Sequence, residues 1–490
     1  MAGFPWSAVA AFVFIYALVL TYSLSRTHPV LRRLYGGEAC IVTITAALLM
    51  TVFFGFAGFH RTWFYYVTML ALTFCMGLCL ADGLCHVRQR RPASTLAHLS
   101  VFIVLFAGLF GGADKRSVNL EAHLDKPVSV AFGRDGRMEH LPFTLTLESF
   151  TIDNYPPKVM PDGGEGWDIA VLEEYDMAMP VEGGFRELNH VGAEPAAFVR
   201  ATNRESGECV EGWVSCGGFM FSPVNLSLPD GQEVYMPRPT PKKYESKVRA
   251  VDADGNEYRF DITVNHPARI GKWRIYQADY DSVRGRWSDY SVLQCVHDPW
   301  FPIIGTGLWM VLAAALLMLV DAAQRALRTF LRERRRPSAV VSASAAGILL
   351  FSVALMCYYL RARELMPALQ SPWFVPHVAV YMVAYAVLAA AVLLRRRDAL
   401  VRIGWAFLSA GMVMGALWAK QAWGDWWSWD PKETWALATW LSYMLYLHAK
   451  PCVKDRRLMY ALLVLSFLML CMCWFGINIL PAATSSIHVY

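Results

Sequence analysis

Ten apolar runs of about 17–22 residues limit this chain more than any other feature, because a helix of that length crosses roughly 30 Å of hydrocarbon. They lie near 7–25, 39–58, 63–82, 97–113, 299–320, 339–360, 373–394, 401–418, 434–449 and 458–476. Hydrophobic residues make up 56% of the 490 and charged residues only 17%, which disfavours a soluble multidomain enzyme. The expected fold is mainly α and polytopic, with about ten transmembrane helices and one β-rich extracytoplasmic domain. The first run lacks a basic leading segment and a clear cleavage site, so it reads as a retained helix.

Lys and Arg give the runs a direction. Basic clusters occur at Arg26/Arg32/Arg33, Arg88/Arg90/Arg91, Arg325 to Arg336, Arg395–Arg397 with Arg402, and Lys450 to Arg457. They follow runs 1, 3, 5, 7 and 9, so both termini are expected outside a bacterial inner (cytoplasmic) membrane. The net charge of +5 comes from these short connections and implies no nucleic acid partner.

Three regions follow: a four-helix membrane region at 1–113, a polar region at 114–298 placed outside, and a six-helix membrane region at 299–490. In the polar region, LPFTLTLESFTI (141–152) and EYRFDITVNH (257–266) read as strands, and Pro/Gly clusters at 156–166 and 237–242 as turns. The eleven cysteines show no CxxC pair and no metal-finger spacing, and most lie in apolar runs, where Cys is a small hydrophobe. Cys209 and Cys216 are a candidate disulfide in an oxidising compartment, with Cys295 left over.

The stretch WAKQAWGDWWSWDPKETWALATW, 418–440, holds seven tryptophans: 418, 423, 426, 427, 429, 435 and 440. An interfacial aromatic belt also enriches Trp. A belt, however, does not require Gly424, Asp425, Asp430 and Pro431 between the indoles. A better fit is a shelf for a large, flat, π-rich ligand such as porphyrin, because indole faces stack with little entropy loss and their N–H groups reach polar edges. Within the shelf, Asp430 before Pro431 reads as a helix cap with Glu433 in the capping-box position, in preference to direct chemistry.

Imidazole is a common ligand of haem iron. By topology His377 (LQSPWFVPHV) and His488 (SSIHVY) flank the tryptophan segment at the outer face, while His98 (LAHLS) and His448 (YLHAK) end helices at the cytoplasmic face. Any one of these reads equally as an interfacial residue, and only the two same-depth pairs favour ligation. His60 and His86 are rivals to His98. His28 reads as a solvated residue, and His123, His140, His190, His266 and His297 as surface or packing residues of the polar region.

WGDWWSWDPKETW, with LQSPWFVPHV before it and FGINIL and SSIHVY after it, resembles the CcsA half of System II cytochrome c synthetases, the WWD haem-handling group. Upstream, FHRTWFYYVTMLALTFC (59–75), LAHLSVFIVLFAGLFGGADKRSVNLEAHL (96–124), LPFTLTLESFTI (141–152) and VNHPARIGKWRIYQADY (264–280) look like the partner half, CcsB or ResB. The whole chain is thus similar to the fused CcsBA type, shorter in its external domain and with an extra first run. The resemblance implies that haem b is both cargo and substrate. His98 and His448 would take it inside the membrane, and Trp418 and Trp435 of the tryptophan segment would also bind the porphyrin. His377 and His488 would present it outside against Trp423, Trp426, Trp427, Trp429 and Asp430. There the cysteines of an apocytochrome c CxxCH would add to its vinyl groups. Thiol-reducing proteins and membrane lipid are the further expected partners. Lys420, Lys432, Arg361 and Arg363 are candidates for the propionates, against a plain reading as interfacial cations. A haem exporter without ligation activity and a haem electron-transfer subunit are the alternatives.

Overall fold

The computed structural model describes residues 3–57, 62–86, 92–162, 166–333, 364–394 and 397–476, with isolated helical positions between 334 and 363. The run at 339–360 and residues His60, Arg88, Arg90, Arg91, Arg361, Arg363 and His488 lie outside the described residues. The described part holds nine long helices: α1 (Trp6–Ser25), α2 (Gly37–Ala57), α3 (Trp63–Cys85), α4 (Pro92–Gly111), α5 (Phe301–Glu333), α6 (Phe374–Leu393), α7 (Arg397–Trp423), α8 (Pro431–Ala449) and α9 (Arg456–Trp474).

Seven of them are long and apolar enough to cross a membrane, or up to eight if α2 is joined to the bent segment before it. Among the described residues this supports a polytopic helical fold with seven to eight of the about ten expected spans. Helix α8 shows a physical reason for the shortfall. It carries Thr434, Thr439, Ser442, Tyr443, Tyr446 and His448, yet most of it is buried within the bundle. A helix shielded from lipid can carry hydroxyls that bond locally, as Thr439 does to the Trp435 carbonyl at 2.8 Å and Ser442 to that of Thr439 at 2.7 Å. One of its indoles finds a partner on α7, where Trp440 donates to Ser409 Oγ at 2.8 Å.

Helices α6 and α7 approach closely because α7 places Gly404, Gly411 and Gly415 toward α6. A Cβ on Gly411 would stand 3.1 Å from the Tyr381 ring, and one on Gly415 would stand 2.8 Å from His377 Cε1. Small residues at such contacts are the usual means of packing helices in lipid.

Strands occupy Arg116 to His297. The eight-stranded antiparallel sheet runs, edge to edge, Glu257–Thr263, Pro241–Asp252, Met138–Asn154, Pro127–Gly133, Arg116–His123, Tyr290–His297, Trp273–Tyr280 and Ala268–Ile270. Its core is the inward-facing set of alternating residues, among them Leu120, Leu145, Leu147, Ile262, Ile275 and Leu293, each 0% exposed. A four-stranded sheet packs apart from it around Val199 and Val214. No disulfide joins Cys209 and Cys216, which are exposed and buried free thiols. They bracket the extended strand Cys209–Ser215, which holds their backbones roughly 23 Å apart, against the ~7 Å limit of a disulfide.

The first and last strands pair along their whole length, Arg116 opposite His297 through His123 opposite Tyr290. The chain therefore leaves the membrane region and re-enters it side by side. Asp114 secures the junction by accepting from the Phe4 backbone, Ser7 Oγ and Trp300 Nε1 at 2.6, 2.8 and 2.7 Å. The sheet also grips the loop before α6: Asn265 donates to the Pro367 carbonyl at 2.8 Å, Gln370 to that of Lys242 at 2.8 Å, and Tyr155 to that of Leu365 at 3.2 Å.

Just past the last strand, Asp298 meets Lys420 of α7 at 3.2 Å, and both side chains are only 5% exposed. A buried pair broken on one side leaves an uncompensated charge, at a cost of about 3–5 kcal/mol. Asp298→Ala is therefore expected to lower the thermal stability of the detergent-solubilised chain by that amount. The double variant Asp298→Leu/Lys420→Met is expected to recover most of it. Equal losses in the single and double variants, measured by thermal denaturation, would remove the pair from this role.

Candidate functional site

The structure brings together His98 of α4 and His448 of α8, whose rings lie 6.0 Å apart in an edge-to-face arrangement. Each is oriented by its own helix. His98 Nδ1 lies 2.7 Å from the Ser94 carbonyl and His448 Nδ1 2.9 Å from the Met444 carbonyl, four residues back in both cases. A carbonyl only accepts, so each Nδ1 carries the proton and the lone pair stays on Nε2, the state in which a neutral imidazole binds a metal.

The two rings border a cavity of about 320 Å³, at the lower end of the range for small-molecule sites. Its walls include Leu72, Val101, Met444 and the stacked indoles Trp405 and Trp440, whose centroids are 5.1 Å apart. Trp405, in a plain helical run, gave no signal in the sequence. The cavity is also bordered by Cys40, Cys75 and Cys79, whose sulfurs all lie within 4.8 Å of one another. The i, i+4 spacing of Cys75 and Cys79 puts them on one helix face, whereas nothing local in the sequence links Cys40 to them.

At the other end of the bundle, the tryptophan segment divides by burial. Trp418, Trp435 and Trp440 are core residues, 3%, 2% and 7% exposed. Trp418 donates to the Ala368 carbonyl at 2.8 Å and so ties α7 to the loop before α6. Trp423, Trp426, Trp427 and Trp429 are half-buried. The turn between α7 and α8 is built on two left-handed residues, Gly424 (φ +74°) and Trp429 (φ +62°). The second is strained for a bulky side chain and is braced edge-on against Tyr65 at 5.1 Å.

The β-sheet domain holds this turn. A Cβ on Gly424 would stand 3.0 Å from the Tyr276 ring, Asp425 pairs with Lys115, and Arg134 lies 3.7 Å from the same carboxylate. Burial pushes the Tyr276 phenol up to about 12, so the wall facing Gly424 is uncharged. Trp426 stacks on Phe301 at 5.1 Å, Arg274 covers Phe301 at 3.4 Å, and the Lys420 ammonium stands 5.4 Å from the Trp426 ring. The indole N–H groups of Trp426 and Trp427 are buried with no hydrogen-bond partner among the described residues. Such orphan donors are rare in native structures and suit the acceptor oxygens of a ligand.

His377, near the start of α6, donates through Nδ1 to the Gly411 carbonyl at 2.8 Å. Its ring lies 4.8 Å from Tyr381 and 6.0 Å from Trp418. His488 lies outside the described residues, so the outer pair is described on one side only. Of the propionate candidates, Lys420 is engaged by Asp298 and by the Gly424 carbonyl at 2.9 Å. His86 is exposed and bonds within its own helix at 2.9 Å, away from the cavity walls. His297, expected as a packing residue, keeps Nδ1 buried without a partner among the described residues, and burial lowers its pKa.

Comparison with known proteins adds two regions of similarity. The model of a family described as "Cytochrome C assembly protein" matches residues 397–484, and that of the "ResB-like family" matches 195–288. The chain is 34% identical over 203 residues to the cytochrome c biogenesis protein CcsA of Prochlorococcus marinus (strain MIT 9312), covering 30% of this chain and 66% of the relative. It is 32% identical over 211 residues to CcsA of Synechococcus sp. (strain CC9605), covering 31% and 69%. With CcsA of Chlamydomonas reinhardtii the identity is 36% over 147 residues, covering 24% and 42%. The chain thus spans just under two thirds of the first relative and under half of the algal one.

Asp430 has a structural explanation. Its side chain accepts from Lys432 N at 2.8 Å, while Glu433 accepts from Asp430 N at 3.3 Å and from Ser428 N at 2.8 Å, a complete capping box ahead of Pro431. Asn caps as well as Asp, and Ala costs about 1 kcal/mol. Asp430→Asn is expected to keep full stability and function, and Asp430→Ala to lose that increment in thermal denaturation. Abolished function in the Asn variant at unchanged stability would return Asp430 to the chemistry.

Proposed function

Because this chain belongs to the CcsA family of cytochrome c biogenesis proteins and carries a ResB-like region in the same polypeptide, we propose that it attaches haem covalently to apocytochrome c. The observation that carries this reading is the meeting of His98 and His448. They come from opposite ends of the sequence, one before and one after the β-rich region, yet their rings stand 6.0 Å apart beside one cavity. Helix-set tautomers leave both Nε2 atoms suited to iron. Haem b is the substrate held there, with the stacked Trp405 and Trp440 offering flat apolar surface to a porphyrin.

The second station is the tryptophan turn, with His377 and His488 as the iron-binding pair on the outer side of a bacterial cytoplasmic membrane. The alternating basic clusters support that orientation, with both termini and the β-rich region outside. Trp423, Trp426, Trp427 and Trp429 hold the porphyrin plane. The orphan N–H groups of Trp426 and Trp427 are the natural donors to its carboxylates, whose burial without partners is costly. The protein's part is positioning, since the macrocycle supplies the reactive carbons. Each CxxCH thiol adds across one vinyl group: the S–H bond breaks, an S–C bond forms, and the hydrogen goes to the neighbouring vinyl carbon. No external oxidant or reductant is consumed in the addition. Thiol-reducing proteins keep the client cysteines ready.

Co-expression with an apocytochrome CxxCH reporter, in a host lacking other assembly systems, tests the reading. Covalent haem product is expected with the native chain and is expected to vanish in His448→Ala, His488→Ala and the Trp426→Phe/Trp427→Phe pair. His448→Ala should also lose the haem that copurifies. External haem without product would overturn ligation in favour of export. A permanent haem that oxidises quinol would overturn it in favour of electron transfer.

A further inference from the structure

Four thiols border the His98–His448 cavity, Cys40, Cys75, Cys79 and Cys452, and the first three form a cluster that has no part in the function proposed above. Cys40 opens α2, and Cys75 and Cys79 lie one turn apart on α3. Cys40 Sγ stands 3.8 Å from Cys75 Sγ and 3.5 Å from Cys79 Sγ, and all three sulfurs lie within 4.8 Å of one another. Tetrahedral zinc with bonds near 2.3 Å needs its sulfurs roughly 3.8 Å apart, close to the 3.8 and 3.5 Å that separate Cys40 Sγ from the other two. That spacing is too long for a disulfide, and a disulfide would leave the third thiol over.

We propose that Cys40, Cys75 and Cys79 bind a thiophilic divalent cation of the zinc type, with its fourth position opening toward the cavity bordered by His98 and His448. Charge selects the valence. Three thiolates around a divalent ion leave one net negative charge, whereas a monovalent copper ion leaves two, and unpaired charge in an apolar setting is costly. The ion joins α2 to α3 and fixes the cavity wall that these helices form. On the haem reading, which this consequence alone rests on, it also keeps three nucleophilic sulfurs from the vinyl groups of a substrate in the same cavity.

The full chain, purified in detergent from haem-depleted cells, tests the site independently of haem. Metal analysis is expected to find about one zinc per chain, and exchange with Co²⁺ to give a thiolate-to-cobalt charge-transfer band. Cys75→Ser and Cys40→Ser should lose the metal and the band, while Cys471→Ser on α9 should keep both. For the native chain alone, a mercurial reagent should release zinc in step with titration of three thiols. Thiols that react fully without releasing metal would overturn the proposal, as would zinc retained in Cys40→Ser/Cys75→Ser or copper in place of zinc.

Discussion

Lys420 and Asp298 stand almost wholly out of water, and each is tolerable there only because the other is present. That dependence sets the geometry of much of the molecule. Asp298 follows the last strand of the sheet, and Lys420 lies one turn before the end of α7. Satisfying both charges pins the β-rich region to the helix that runs into the tryptophan turn. Gly424 then lies against Tyr276, and Asp425 meets Lys115. The turn is a left-handed, partly strained segment that would not hold this form alone. The sheet overrides the local preference of the backbone.

The histidines are held by a different device. His98, His448 and His377 each give the Nδ1 proton to a backbone carbonyl, two of them within their own helix and one across the α6–α7 contact. A helical carbonyl is a fixed acceptor, so orientation and tautomer come without any acidic partner. In a low-dielectric interior this avoids a buried carboxylate, whose desolvation is costly. The same economy explains the glycines of α7: Gly415 leaves room for the His377 ring where any Cβ would push it aside.

Indoles at the two levels take separate tasks according to burial. Trp418, Trp435 and Trp440 are part of the packed bundle, whereas Trp423, Trp426, Trp427 and Trp429 stay half-buried at the turn. A composition-level reading treats all seven alike, because every indole is equally able to stack. What separates them is how deeply the neighbours bury each ring, and that is a property of the packing.

The sequence by itself determined the helices and the β-rich insertion. Runs of apolar residues leave the backbone no other partner than itself, and period-two strands such as Met138–Asn154 declare their own buried face. The cap at Asp430 was readable for the same reason, since its partners lie within three residues. Tertiary structure decided everything that depends on residues far apart in the chain. It brought Cys40 to Cys75 and Cys79, placed Trp405 beside His98 and His448, and kept Cys209 from Cys216 by stretching a strand between them. It also buried the polar helix α8 within the bundle, where a hydropathy count undervalues it. Local patterns fix what a backbone does next, but a site forms where distant segments cross, and only packing of the whole chain sets those crossings.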